Sequence, residues 1–387
     1  ASGVGLSLGV ALNHYILNLL GPPMIEEFGW QRSQFALVGS LSLISMLFVP
    51  FAGRFTDRFG ARPAIAAGFI GGTLIFLPLS MMTGSIWQFY GLTILKNIIG
   101  ILTTTLVFTR VVVERFDAAR GISLAILMSG APLVGATLVP IIGGIIDAEG
   151  WRMGYRVMAM LSATGGLVAF TVIGRRRKPK SDTSGSAPAP AKVSVRMSRA
   201  DFLRLVRRPA FMLLIGGMLL VNFPQIIVSS QLKLVAMESG ATSGFATLLV
   251  SLYAVSVVIG RFLSGLALDH YPVHIVAVAT LGLPAIGLVG MASPYDAQWV
   301  LFGAVTLIGL AQGAEGDVGA YLTSRRFDMA HYSFIFSFVI AAIGIGSAIG
   351  SLILGLTLHL TDRFTIFLLL SAVLTLIGAV CFYLTGR

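Results

Sequence analysis

Apolar residues gather in twelve long stretches, and polar residues fall in the short breaks between them. The stretches run over roughly 3–24, 34–55, 63–83, 88–113, 121–147, 153–174, 209–236, 243–270, 273–293, 297–323, 331–361 and 363–385. Each reaches the roughly 20 residues that a helix rising about 1.5 Å per residue needs to cross about 30 Å of hydrocarbon. The runs are too long for membrane strands and lack their two-residue alternation. The pattern predicts an all-α membrane protein with twelve transmembrane helices.

The polar breaks repeat. Asp57-Arg58-Phe59 recurs as Asp269-His270-Tyr271 at an offset of 212, and Arg115-Phe116-Asp117 as Arg326-Phe327-Asp328 at an offset of 211. Gly53-x-x-x-Asp57 returns as Gly265-x-x-x-Asp269. Two pseudo-symmetric six-helix bundles are therefore expected, over 1–174 and 209–387, with a site near the midplane between them. Residues 175–208 read as a linker. It opens on Arg175-Arg176-Arg177-Lys178-Pro179-Lys180 and continues through a Ser/Gly/Ala/Pro-rich stretch to Pro190. It closes on an amphipathic helix, Ser198–Arg208, which sets Phe202, Leu203 and Leu205 against Arg199, Arg204, Arg207 and Arg208.

Composition agrees with the pattern. Of 387 residues, 56% are hydrophobic and 11% charged, mean hydropathy is +0.89, and 45 glycines suit close helix packing. The net charge of +11 would point to nucleic acid in a soluble protein. Here it lies mostly in loops, so membrane topology and lipid headgroups account for it and no nucleic-acid partner is expected. Twenty of the 27 Lys and Arg residues fall in one set of loops, in the linker and at Arg387, while Arg32, Arg152, Arg156, Lys233 and Arg363 lie on the other side. That imbalance predicts both termini in the cytoplasm. No cleavable signal peptide precedes the first stretch, and the chain starts at Ala1 as if a native N-terminal tail had been removed. The one cysteine, Cys381, excludes an intrachain disulfide and a cysteine metal cluster. No phosphate-binding G-x-x-x-x-G-K-[ST] loop, H-E-x-x-H metal motif or serine-histidine-acid arrangement occurs, so neither ATP hydrolysis nor enzymatic hydrolysis has residues to carry it. No cofactor or metal is expected.

Charges within the apolar stretches carry the candidate chemistry. Lys96 sits well inside the fourth and Arg261 well inside the eighth, and a cation at that depth needs a wet cavity or an anion. Arginine offers a flat two-pronged fork suited to a carboxylate. The acids deep in a stretch are Glu315 and Asp317, in the tenth. Asp317 lies at a depth comparable to Arg261, so one acid is expected to partner it. At about 100° per residue the two acids point to nearly opposite faces. A carboxyl buried without a partner suits proton carriage. His14 and Asn18, one turn apart in the first stretch beside Asn13 and Tyr15, are candidates to line a pathway. Asn222 and Gln225 in the seventh are their counterparts in the second repeat. Each also fits an interhelical hydrogen bond. Ser129-Gly130-Ala131-Pro132 and Gly135 read as helix-packing positions.

The loop Gly53-Arg54-Phe55-Thr56-Asp57-Arg58-Phe59-Gly60-Ala61-Arg62, G-x-x-x-D-R-x-G-x-R, resembles the loop between the second and third helices of the major facilitator superfamily of secondary transporters. Gly53, Asp57, Arg58, Gly60 and Arg62, with Gly265 and Asp269 in the second half, would then form the conformational-switch motif. Lys96-x-x-x-Gly100 looks like the superfamily's fourth-helix motif, where arginine usually stands. Arg261-x-x-x-Gly265, with Phe28-Gly29-Trp30 and Gly150-Trp151-Arg152, is similar to the monocarboxylate transporter and oxalate/formate antiporter branch. There the arginine binds the substrate carboxylate. Two departures stand out. Val257 occupies the place of the monocarboxylate transporters' proton-accepting aspartate, and the eleventh stretch lacks the antiporters' lysine.

The resemblance implies alternating-access, proton-coupled transport of a small monocarboxylate by a monomer in a bacterial inner membrane. Substrate would bind at Arg261, Lys96, His14, Asn18, Asn222 and Gln225, with coupling at Glu315 and Asp317. The alternatives are a drug or metabolite exporter, an organic-anion exchanger, and a membrane sensor on the same fold.

Overall fold

A computed structural model describes residues 10–104, 120–172, 204–293, 297–327 and 332–386. Among these the chain is helical throughout, in twelve successive segments. Spans one to six are Val10–Phe28, 32–59, Ala61–Ser80, 86–103, Arg120–Glu149 and Trp151–Val172. Spans seven to twelve are 209–238, Ser243–His270, Val273–Ala292, Gln298–Arg326, Tyr332–Thr361 and Thr365–Gly386. Seven of the described helices are each long and apolar enough to cross a membrane. Most of the linker and the 105–119 connection lie outside the described residues, as does the Arg115-Phe116-Asp117 repeat.

Gly60 closes span two at φ +89° and Gly150 closes span five at φ +84°, a backbone region that side chains with a Cβ rarely enter. An even number of crossings sets the two chain ends at one end of the bundle, the terminal end, together with the Gly60 turn. The Gly150 turn is at the opposite, far end.

Inside the first half, span three packs on four and six, and span five on one and six. Inside the second, span ten packs on eight and nine, and span twelve on seven and nine. The halves meet mainly where span one packs on seven, two on eleven, and five on eight. Toward the far end these contacts form one apolar core shared by both halves, in which Ile16, Leu19 and Phe35 join Ile226, Leu249 and Leu354. Ion pairs also cross there: Arg32 to Glu238 at 2.6 Å and Lys233 to Asp147 at 3.7 Å. Among the described residues no ion pair joins the halves at the terminal end. There a second cluster lies wholly in the second half, joining Leu205 at the end of the expected amphipathic helix to Phe211, Leu268 and Phe327.

Two stretches expected as continuous helices are broken. Span two passes through a 3-10 segment, Leu37–Leu41, before re-forming as Ser42–Met46 and Val49–Phe59. Span seven stops at Val221, turns through Asn222-Phe223-Pro224 and runs through a π segment, Ile227–Gln231, into Leu232–Glu238. Pro224 has no N–H to continue the helical ladder, which gives the physical reason for the second break. Irregular backbone at membrane depth persists only where other groups satisfy it.

The motifs Phe28-Gly29-Trp30 and Gly150-Trp151-Arg152 come together at the far end. Phe28 packs on Trp30 and Trp151 at 5.0 and 5.2 Å between ring centres. Trp30 donates to the Gly84 carbonyl at 2.7 Å, while Trp151 and Arg152 both donate to Glu27. This aromatic cap holds spans one, four and six in register.

Candidate functional site

Small residues bring spans eight and ten together at the depth of Arg261. A Cβ on Gly260 would fall on the Leu310 carbonyl, and one on Gly313 would fall on the Val257 carbonyl and 2.6 Å from the Arg261 nitrogen. A Cβ on Gly309 would lie 2.8 Å from the Tyr253 carbonyl. Gly309-x-x-x-Gly313 is thus a small-residue seam against which span eight lies backbone to backbone. That closeness sets Arg261 beside Asp317, with Nε 3.8 Å from Oδ2. The pair is loose: Asp317 is 46% exposed, and Arg261 Nε is buried without a hydrogen bond. Asp317 is therefore the acid that faces the arginine.

Glu315 turns the other way, toward span seven, and is 6% exposed. Its Oε1 accepts from Asn222 Nδ2 at 2.6 Å and its Oε2 from Gln312 Nε2 at 2.8 Å. The same Asn222 nitrogen donates to the Met218 carbonyl at 2.8 Å, which fixes the amide's orientation. Both donors are neutral amides, so no cation among the described residues pairs with this carboxylate. The break in span seven explains the geometry, because the turn after Val221 aims Asn222 across at span ten. Gln225, one turn on, lies close to the Tyr253 phenol. Gln225, Gln312 and Glu315 line a cavity of about 30 Å³ among spans seven, nine and ten. That is room for about two waters.

Tyr253 reaches across the interface to Tyr15, at 6.1 Å between ring centres, and Tyr15 touches His14 at 5.5 Å. Gly135 makes room for the Tyr15 ring, since a Cβ there would lie 2.8 Å from it. Polar groups of both halves thus form a band from His14 through Tyr15 and Tyr253 to Gln225 and Glu315, with Arg261 close to Tyr15. Lys96, on span four, is 3% exposed and has no hydrogen bond or ion pair among the described residues.

Other residues singled out in the sequence are placed differently. Asn18 spends its amide on backbone groups, donating to the Val228 carbonyl of span seven and, at 3.4 Å, to the His14 carbonyl of its own helix, and accepting from the Leu232 N–H. It ties helices together and has no atom left for a ligand. Arg58 and Asp269 are exposed at the terminal end, and a Cβ on Gly265 would meet open space. In this state Gly265 is no packing glycine. Arg62 donates to the Phe170 carbonyl at 3.0 Å with its guanidinium over the Phe170 ring. Of Gly53 and Asp57 only the helical backbone is described. Sequence reasoning missed Gln312, Tyr253 and the Gly309/Gly313 seam. The seam's four-residue spacing was its available signal, as was the three-residue spacing of Gln312 and Glu315.

Two helical bundles that meet along broken helices, with charged side chains set within the spans, mark a multi-pass membrane protein. The chain belongs to the Major Facilitator Superfamily, whose family model matches residues 4–239 and 217–387. Among curated proteins it is 25% identical to the MFS transporter asaE of Aspergillus flavus over 80% of this chain and 65% of that one. It is 26% identical to the MFS-type transporter pytF of Aspergillus terreus, over 68% of this chain and 82% of that one. The fujikurins efflux protein of Gibberella fujikuroi is 22% identical, over 74% and 59%. The chain thus spans less than two thirds of asaE and of the fujikurins efflux protein. Among solved structures, the nucleoside transporter NupG matches with a TM-score of 0.78 at 13% identity, covering 100% of this chain and 98% of that one. A bacterial homologue of the human lysosomal transporter Spinster, inward-facing and unoccupied, matches at 0.74 and 15% identity, over 100% and 96%. At these identities the structures speak for the fold alone.

Proposed function

We propose that this transporter moves a small organic anion, a monocarboxylate best fitting the site, by alternating access with proton coupling. The observation that carries the reading is a pair of under-satisfied cations set within the spans, one from each half. Lys96 has no partner among the described residues, and Arg261 holds its acid only loosely. A buried cation without a matched anion is costly, and a carboxylate between the halves would relieve both. Arg261 would grip it with two hydrogen bonds, while Lys96 adds a point charge. His14, Asn222 and Gln225 would line the path as hydrogen-bonding groups. The cross-half core and ion pairs at the far end fit a state closed there, one that exchanges substrate at the terminal end. Lysine and arginine distribution favours that end as cytoplasmic, with both termini there, and a bacterial inner membrane and a monomer suit the reading.

A second reading is export of a larger metabolite. It is favoured by the relatives, one of them an efflux protein and another the class B tetracycline resistance protein of Escherichia coli, 25% identical over 45% of this chain and 40% of that one. A thermal-shift screen on the purified protein separates the two, since a ligand of the native state raises its apparent stability. Carboxylates are expected to stabilise it. Stabilisation by hydrophobic cations alone would favour the exporter.

Two substitutions test the cations. Arg261→Lys is expected to lower carboxylate uptake by about tenfold or more, while Arg177→Lys in the linker leaves it unchanged, because lysine keeps the charge but loses the fork. Near-normal uptake in well-folded Arg261→Ala protein would remove the anion site. Lys96→Ala is expected to weaken carboxylate affinity by about tenfold, and Lys96→Arg to retain it. An unchanged affinity in Lys96→Ala would leave the lysine a structural role.

A further inference from the structure

Two side chains cross between the halves and fill matching gaps in helices of the opposite half. Asn18 Nδ2 donates to the Val228 carbonyl at 2.9 Å, and the Leu232 N–H donates to Asn18 Oδ1 at 2.7 Å. Residues 228 and 232 are one i, i+4 pair of span seven, which a regular α-helix would bond directly. Ser351, on span eleven, does the same to span two. Its hydroxyl donates to the Ala36 carbonyl at 2.6 Å and accepts from the Ser40 N–H at 3.0 Å. Residues 36 and 40 are again an i, i+4 pair. Each gap coincides with a distorted segment, π over Ile227–Gln231 and 3-10 over Leu37–Leu41. Asn18 and Ser351 are both fully buried.

We propose that Asn18 and Ser351 are the gate residues of the far end, each standing in for one backbone hydrogen bond of the other half while that end is closed. The chemistry suits the task. An amide has a donor and an acceptor side by side, and a hydroxyl does both through one atom, so each satisfies a carbonyl and an N–H together. When the far end opens, the inserted group withdraws and the carbonyl and N–H bond to each other. Spans two and seven then exchange a cross-half bond for an internal one and leave no buried backbone group unpaired. This gives the helix pair two discrete arrangements, which a switch requires.

The two gaps form one unit. A Cβ on Gly39, inside the 3-10 segment, would lie 2.5 Å from Ile226 of span seven and 2.9 Å from the Ser351 hydroxyl. On span eleven, Gly346 and Gly350 let the helix lie against the Leu219 and Phe223 carbonyls at the broken part of span seven. Withdrawal at one gap therefore disturbs the packing around the other. The nearby pairs Arg32 with Glu238 and Lys233 with Asp147 would part in the same motion.

The inference rests on alternating access, and its test reads conformation instead of transport. Spin labels at Ala148→Cys and Ala297→Cys, on opposite halves at the far end, report its opening in protein carrying Cys381→Ser. Ser351→Val and Asn18→Leu, which lack the inserted groups, are expected to raise the open-to-closed ratio about fivefold each. Ser351→Thr, which keeps the hydroxyl, is expected to match the parent. Ser351→Ala and Asn18→Ala serve as smaller changes should the first pair fold poorly. The gate assignment is overturned if these variants leave the distances unchanged, or if Ser351→Thr shifts them as far as Ser351→Val. Should the distances in the parent lengthen with substrate while no variant shifts them, alternating access stands and the gate assignment falls. A far end that opens under no condition would overturn both.

Discussion

Gly313→Leu is expected to be the most damaging single change in the protein, lowering stability by on the order of 3 kcal/mol and removing transport. The seam between spans eight and ten leaves no space for any Cβ at that position, and the obstacles are the Val257 carbonyl and the Arg261 nitrogen. Backbone cannot rotate away as a side chain can, so the helices themselves must separate. Separation draws Arg261 from Asp317 and also shifts Glu315, two residues further along span ten, relative to Asn222. Gly316→Ala provides the control on the same helix. Its Cβ would meet nothing within 4 Å, and alanine is the better helix former by about 1 kcal/mol. Thermal unfolding in detergent and uptake in liposomes measure the contrast. A Gly313→Leu protein as stable and active as Gly316→Ala would show that the seam is not required.

What could be read from the sequence was what local periodicity and residue chemistry determine. Twelve apolar stretches gave the helices because length and hydropathy settle a membrane crossing without reference to neighbours. Arg261, Glu315 and Asp317 stood out because charge at that depth is costly wherever it points. The expectation that the two acids face apart rested on helical rotation alone, and the structure shows Asp317 toward span eight and Glu315 toward span seven. The breaks in spans two and seven were not legible in the same way. Pro224 was a visible warning, but the gap at 36–40 contains no proline and depends on Ser351, 311 residues from Ser40. Asn18 likewise looked like a lining residue, because nothing within its own helix reveals that its partners lie 210 and 214 residues away. Hydrogen bonds across the bundle are tertiary facts, and a polar residue on an apolar helix face is equally compatible with a ligand and a backbone gap.

Asp317→Asn is expected to abolish pH-driven accumulation of a carboxylate while sparing its exchange between two equal pools. Val257 leaves span eight without an acid one turn before Arg261, so a coupled cycle needs another acid that shares the arginine. Asp317 is placed to do so at 3.8 Å, and its partial exposure gives protons a way in. A substrate carboxylate that takes the Arg261 fork displaces Asp317, which loses its cation and accepts a proton. Substrate and proton then favour each other's binding, and the coupling is reciprocal, typically about 5- to 150-fold in affinity. Uptake therefore rises as the pH on the substrate side falls. Asparagine cannot exchange a proton, so the asparagine variant should lose the pH drive yet still release Arg261 to substrate. Glu315→Gln makes a different change, because Glu315 is held by Asn222 and Gln312 and touches no cation. Glutamine keeps one acceptor and mismatches one donor, which should cost about 1–3 kcal/mol in stability and leave the pH drive in place. Uptake in proteoliposomes with an imposed pH gradient, compared with counterflow at equal pH, distinguishes these outcomes. If Asp317→Asn kept full pH-driven uptake and Glu315→Gln lost it, the proton would travel through the span seven contact, and Arg261 would bind substrate without coupling it.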